Sequence, residues 1–485
     1  MRSEDIQNAP SSPLNHEPFF TYLHLTVLQP EPKNRRCFLA AAAASGAVLL
    51  GCTPRPEAAP SATSARRDVP LRVLLCGTQR WADLLTTAWS AIAEQPLQIN
   101  LLDDAVIDAS QWQSQVITAM ASCDVAIVPA GLLPAINNAS GLTPPNEELL
   151  SDEGIDADSL YPVLREGLMR FGGRTVAVPL GAVQPALVIR NDGAAGEIEP
   201  PRDWDGFITA AKQFSDSQVA EPLADGAAAK MYLWRANAAQ PPVWLFDRQS
   251  FAPVIDTPPY VDVLETMQRC AQTYGGARLT AGQVWSQIAS GGLRMAIAWP
   301  AAHSDEERIE EASGCSFASL PTAGFANAAP PQTLVDHQSP VAIISSHCRQ
   351  SEAAKRFLTW VLDGEGTDMI GAAVTGVTEV RSTAAPSAAQ AKLPSQPSRA
   401  ERSLSSYSAQ AREALSALTL RPPLQLLEYR QYAAALDAAV LSCLDGEQSA
   451  QAAMSQAAEE WAALTTRIGV KAQHQAWRRA QGLSG

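Results

Sequence analysis

From residue 71 onward the chain alternates apolar runs with amphipathic stretches. Leu71 to Leu75 is nearly all apolar and reads as a buried strand. The next segment places Trp81, Leu84, Leu85, Ala88, Trp89 and Ile92 on one helical face, at i, i+3, i+4, i+7 spacing. Leu97 to Leu102 reads as a second strand, with Ile99 and Leu101 alternating against Gln98 and Asn100. A helix carrying Trp112, Val116, Ala119 and Met120 follows, then the strand Val125 to Val128, ending at Pro129. Strand, helix, strand, helix, strand predicts a parallel sheet with right-handed crossovers, which binds ligands beyond the carboxyl ends of its strands. Gly77 to Arg80 and Pro129 to Leu132 then stand at the rim of a cleft.

The middle is less regular. Thr175 to Ile189 is apolar and extended but broken by Pro179, Gly181 and Pro185. Asp203 is placed to cap a helix bearing Trp204, Phe207, Ile208 and Ala211, and Thr257-Pro258 to start another. Leu293 to Ala298 reads as a strand ending at Trp299-Pro300, and Pro340 to Ser345 as a further strand with its proline first. A helix with Ala354, Phe357, Leu358 and Val361 follows. Residues 384–408, rich in Ala, Ser, Pro and Gln, read as a surface excursion. Two long helices close the chain, one with Tyr432, Leu436, Val440 and Cys443, the other with Met454, Ala457, Trp461 and Leu464, stopping near Gly469.

Ahead of this body, Arg35-Arg36-Cys37-Phe38-Leu39 opens an uncharged run to Leu50, the layout of a secretory signal. The run is shorter than the roughly 18 residues a bilayer span needs. Arg35, Arg36, Phe38 and Leu39 resemble a twin-arginine signal, and Leu49-Leu50-Gly51-Cys52 looks like a lipobox in which Cys52 becomes lipidated. Either the signal has a long leader or translation starts downstream of Met1. Thr53 to Pro70 reads as a flexible tether, so the expected product is an exported lipoprotein, periplasmic or at the cell surface, held to a membrane through Cys52.

Charge narrows the partners. A net charge of −14 argues against nucleic acid, whose binding relies on clustered Lys and Arg. The cysteines of the mature chain show no CxxC pair and read as buried thiols rather than a disulfide framework. HExxH and GxSxG are absent, no cofactor is called for, and an enzyme is not expected.

Four segments carry a resemblance. Gly172 to Gly181 (GGRTVAVPLG) resembles the interlobe crossing of family 1 extracellular solute-binding proteins, the maltose-binding type. Glu199 to Phe207 (EPPRDWDGF) is similar to that family's helix start, Leu293 to Pro300 (LRMAIAWP) to its cleft strand, and Ser351 to Leu362 to the helix after the return crossing. The resemblance implies an α/β, two-lobe periplasmic-binding-protein fold of type II, with a hinge and C-terminal helices. It divides the chain into a signal (1–51), a tether (52–70), lobe 1 (71–181 and 339–383), lobe 2 (182–338 and the helices of 409–485) and the segment 384–408. It implies a monomer that captures a small solute, a sugar by expectation, and hands it to the permease subunits of an ABC importer.

Sugar recognition needs flat aromatic faces and directional polar groups. Trp299 at a strand end, and Tyr429 ahead of a C-terminal helix, match the family's cleft aromatics. Trp81 opens the first helix and is divided between core and cleft. Trp234 and Arg235 sit in an apolar segment whose family counterpart lines lobe 2. Arg235 there either contacts ligand or pairs with a carboxylate. Gln79 and Gln184 are polar candidates at the first loop and the first crossing. Three alternatives stand beside transport: a tethered sensor or surface carbohydrate-capture lipoprotein without a permease, a glycosidase using a carboxylate pair such as Asp103-Asp104, and an iron site at Tyr429 and Tyr432.

Overall fold

The structure is a computed structural model and describes residues 69–483, apart from 104–107, 146, 151–153, 192–197, 302–311, 313, 323–331, 363–377, 379, 383–398 and 418. Leu71–Cys76 lies inside a sheet, between Leu97–Leu102 and Val125–Pro129 and parallel to both. Its Leu71, Val73, Leu74 and Leu75 are wholly buried, and a strand buried on both faces has no need of polar alternation. Leu97–Leu102, at the edge, keeps its alternation of half-buried and exposed positions along Leu97 to Asn100. The connecting helices Gln79–Ile92 and Ala109–Met120 are capped by Thr78 (Trp81 N to Oγ1, 3.3 Å) and Asp108 (Ser110 N to Oδ1, 2.8 Å). Trp81, Leu85, Ala88 and Trp89 are buried, whereas Ile92, on the last turn, is left exposed.

Pro340–Ser345 enters this sheet from far down the chain and runs antiparallel to Val125–Pro129, with Pro340 opposite Pro129. Asp124 ties the arrangement together. Its carboxylate accepts from Arg72 Nε (2.9 Å), Arg72 Nη2 (2.8 Å) and Arg349 N (2.8 Å). Burial pushes this carboxyl up, but the donors outweigh it and hold it below the usual carboxylate range.

A second sheet has the order Cys315–Ala318, Ala186–Arg190, Met295–Ala298, Val219–Ala220, antiparallel except for the last pair. The chain reaches it after Val178–Pro179 and leaves it before Pro340, so two α/β lobes share crossing segments. Asp203 caps the helix Trp204–Ala211 (Gly206 N to Oδ1, 2.7 Å). Thr257 stands at the cap position of Pro258–Ala271, but its hydroxyl donates backward to Val254 O at 2.7 Å instead of capping.

Two expectations change. The first part of the excursion expected at 384–408 lies outside the described residues, but from Arg399 the chain is helical to Leu415. Tyr407, Ala411 and Leu415, spaced at four, are buried. The Tyr407 hydroxyl donates to Gln184 O at 2.9 Å, and its ring meets Trp285 and Phe317. An Ala-, Ser- and Gln-rich composition thus hides an ordinary amphipathic helix. The tail holds a third helix. After Tyr429–Leu444 and Ala450–Ile468, Gly469 at φ 116° turns the chain into Val470–Ala480, which buries Ala476 and Trp477. Phe246 stacks on Trp461 at 5.2 Å and meets Trp477 at 5.3 Å, fastening the tail to lobe 2.

Cys123, Cys270, Cys348 and Cys443 are free thiols. Arg35, Arg36, Phe38, Leu39 and Cys52 lie outside the described residues. Among the described residues no helix is long and apolar enough to cross a membrane.

Candidate functional site

Met295–Ala298 is fully buried and delivers Trp299 from its carboxyl end. The Trp299 ring meets that of Trp234 edge to face, with centroids 5.4 Å apart. Trp234 belongs to the helix Ala227–Ala239, and one turn earlier the same helix carries Lys230. The Lys230 ammonium pairs with Asp336 at 2.8 Å. Asp336 lies 3.3 Å from Nδ1 of His337, whose ring stands edge-on to Tyr429 at 5.3 Å. Tyr429 in turn lies flat on Gly131, where an added Cβ would sit 2.9 Å from its ring carbons. A continuous line of side chains therefore runs from the lobe 2 strand end to the loop after Val125–Pro129 in lobe 1.

A cavity of about 300 Å³ opens beside it, lined by Trp299, Lys230, Asp225, Thr280, Ala281 and Gly282 among others. It offers an indole, an ammonium, a carboxylate and a hydroxyl. The electrostatics are set by burial. Desolvation raises the Asp336 carboxyl, and Lys230 and His337 more than reverse it, so Asp336 ends below the usual range. Desolvation pushes His337 down to about 4 against the pull of Asp336. The line thus holds one ion pair and one neutral imidazole at neutral pH.

This arrangement of two α/β lobes agrees with the family comparison: the sequence profile of bacterial extracellular solute-binding proteins matches residues 108–397. The chain belongs to that family. Solved structures share its fold. An ABC transporter solute-binding protein from Agrobacterium radiobacter K84, in complex with ribitol, is 18% identical with a TM-score of 0.61, covering 81% of this chain and 98% of its own. Maltose-bound MalE3 of T. maritima is 19% identical with a TM-score of 0.59, covering 82% and 100%. A cyclic α-maltosyl-1,6-maltose binding protein from Arthrobacter globiformis is 16% identical with a TM-score of 0.55, covering 81% and 98%. No curated protein matches the sequence.

In this solute-binding protein the expected site residues separate into groups. Trp299 and Trp234 come together, and Tyr429 joins them through His337. Trp81 is buried in lobe 1 over Gly77, where a Cβ would lie 2.8 Å from its ring, and it does not line the cavity. Gln79 is exposed and donates to Asp83 Oδ1 one turn on, at 2.7 Å. Gln184 is buried, and its backbone oxygen receives the Tyr407 hydroxyl. Arg235 takes the carboxylate alternative. It pairs with Glu221 at 2.6 Å, both side chains almost fully buried, and its guanidinium lies 4.3 Å from the Trp204 ring centroid. That places it on a separate cavity of about 400 Å³ with Trp204 and Asp262.

Tyr429 and Tyr432 diverge. Tyr432 shares a hydrogen bond with Thr465 at 2.9 Å and accepts from Gln473 at 3.1 Å, so the pair does not converge on an ion. Among the described residues no group of three or more His, Cys, Asp or Glu is arranged for a metal. Of the Asp103-Asp104 pair, Asp104 lies outside the described residues.

Sequence reasoning missed Lys230, Asp336, His337, Asp225 and Thr280. One signal was available: Lys230, like Arg235, is a cation in an otherwise apolar helix, and such a cation needs a carboxylate partner.

Proposed function

We propose that this chain is an exported lipoprotein, lipidated at Cys52, that captures a sugar or polyol between its lobes and presents it to an ABC importer. The cavity at the end of Met295–Ala298 carries the reading, because it combines the Trp299 indole with Lys230, Asp225 and Thr280 around about 300 Å³. A polyhydroxylated ring or chain asks for that mixture: an apolar face to cover and several hydroxyls to pair. Family membership and the ribitol- and maltose-bound structures of like fold support the same class. Such a ligand touches both lobes only when they close, and so shifts the population toward the closed form that an importer reads.

The test is a thermal-shift and calorimetric screen of residues 70–485 against polyols, monosaccharides, maltose and maltodextrins, with polyamines and ferric ion as controls. Binding to the native state alone raises Tm by mass action. A saccharide or polyol hit that is weakened at least tenfold by Thr280→Val or Lys230→Gln supports the site. A hit confined to polyamines or iron overturns the sugar assignment. For the anchor, metabolic labelling with a fatty acid should mark the wild-type chain and not Cys52→Ser, and equal labelling of both would sink the lipoprotein reading.

A further inference from the structure

The helix Ala227–Ala239 supplies Lys230 and Trp234, and the turn before it, at Ala224 and Asp225, forms part of the cavity wall. This helix begins without a cap of its own. Asp225 stands at φ 56° and Gly226, the N-cap residue, at φ 77°, and no side chain of the turn accepts a hydrogen bond from the first helical residues. The first N–H groups of a helix have no partner inside it. A carboxylate from the far end of the chain meets them here. Ala229 N donates to Asp437 Oδ1 at 2.9 Å, and the Ala228 N–H faces the same carboxylate. Asp437 lies half-buried in Tyr429–Leu444, the helix whose first residue contacts His337.

We propose that Asp437 is a positioning residue for the ligand cavity. It caps Ala227–Ala239 from the C-terminal helix and so fixes the Ala224–Ala227 wall and the height of Lys230 and Trp234 beside Trp299. A negative charge at a helix N-terminus also stabilises the helix dipole, so this carboxylate contributes both a hydrogen-bond acceptor and a charge. The arrangement ties the tail helices directly to the wall that the ligand touches. The idea rests on the cleft reading for its effect on binding, but its structural half stands apart from any ligand.

The experiment uses the mature chain with Asp437→Ala and Asp437→Asn, read by hydrogen–deuterium exchange and by calorimetry with maltose and with ribitol. In the unliganded protein, Asp437→Ala should raise exchange about tenfold at the amides of 227–231, the size of a lost cap, and leave strand Leu71–Cys76 unchanged. Asp437→Asn keeps one acceptor oxygen and should restore most of the protection. For whichever probe binds, Asp437→Ala should weaken Kd by about tenfold, with Asn between the two. A merely structural role would lower Tm while leaving Kd unmoved, and that result overturns the proposal. Unchanged exchange at 227–231 overturns it whether or not a sugar binds. If the wild-type chain binds neither probe, those ligands are ruled out, and the exchange result still decides the cap.

Discussion

Removing Arg235 alone should damage the protein far more than removing Arg235 and Glu221 together. The two side chains are 2.6 Å apart and almost wholly excluded from water. Burial pushes the Glu221 carboxyl up, and the adjacent guanidinium pulls it back. In Arg235→Met the pull disappears and the desolvation remains. Breaking a buried pair in this way costs about 3–5 kcal/mol, and loss of the contact with the Trp204 ring adds up to about 2 kcal/mol. The double variant Arg235→Met/Glu221→Leu leaves no orphaned charge and should return to within about 1–2 kcal/mol of wild type. A pH signature accompanies the single variant. With its partner gone, Glu221 is raised further in the folded state, so the folded chain holds the proton more tightly than the unfolded one. Stability is then lost as pH rises through the folded value. The deficit of Arg235→Met should therefore be larger at pH 8 than at pH 5. Urea unfolding of residues 70–485 at both pH values measures it, with unchanged m-values as the check on two-state behaviour. A deficit below about 1 kcal/mol, or one equal at both pH values, refutes the reasoning. An intact stability with a weakened Kd would make Arg235 a ligand contact instead.

Two further predictions follow from buried groups. Burial holds His337 near 4, below the ordinary 6.5, so between those values the unfolded chain binds more protons and stability falls as pH drops. His337→Gln should flatten that slope by up to about 3 kcal/mol in urea titrations from pH 7 to pH 4, and an identical slope in both proteins would exclude His337 as its source. The groups facing it are Asp336, Lys230 and Arg430. Tyr407→Phe strands the Gln184 carbonyl and should lower stability by about 1–2 kcal/mol, whereas no change in midpoint would show the 399–415 helix to be held by its apolar face alone.

Local physics made the first lobe legible. Leu71 to Leu75 is apolar without interruption because the strand is buried on both faces, and Trp81 to Trp89 follows the helical period because that face packs inward. Asp203 is a cap in the structure for the reason it reads as one in sequence. The residues that went astray are those whose environment is non-local. Arg235 stays in an apolar segment because Glu221, on another element, neutralises it, the carboxylate pairing open to it in sequence, though the partner itself could not be read there. Tyr407 and its helix were obscured by a composition that looks disordered until the spacing of 407, 411 and 415 is counted. The third helix of the tail depends on one left-handed Gly469 that turns the chain without ending it.

The site shows the same division. Trp299 stands at the end of a strand, a local property legible in the sequence. The sequence around Lys230 signals only that the cation needs a carboxylate; that the partner is Asp336 depends on where the second crossing meets the helix Ala227–Ala239. That dependence bears on function. A pocket wall held by contacts between distant segments changes shape when those segments shift. In this chain Lys230 is held by Asp336 on the crossing, and its helix is held by Asp437 in the tail. Under the proposed site, ligand affinity depends on how the crossing and the tail pack against this helix, through the same few side chains.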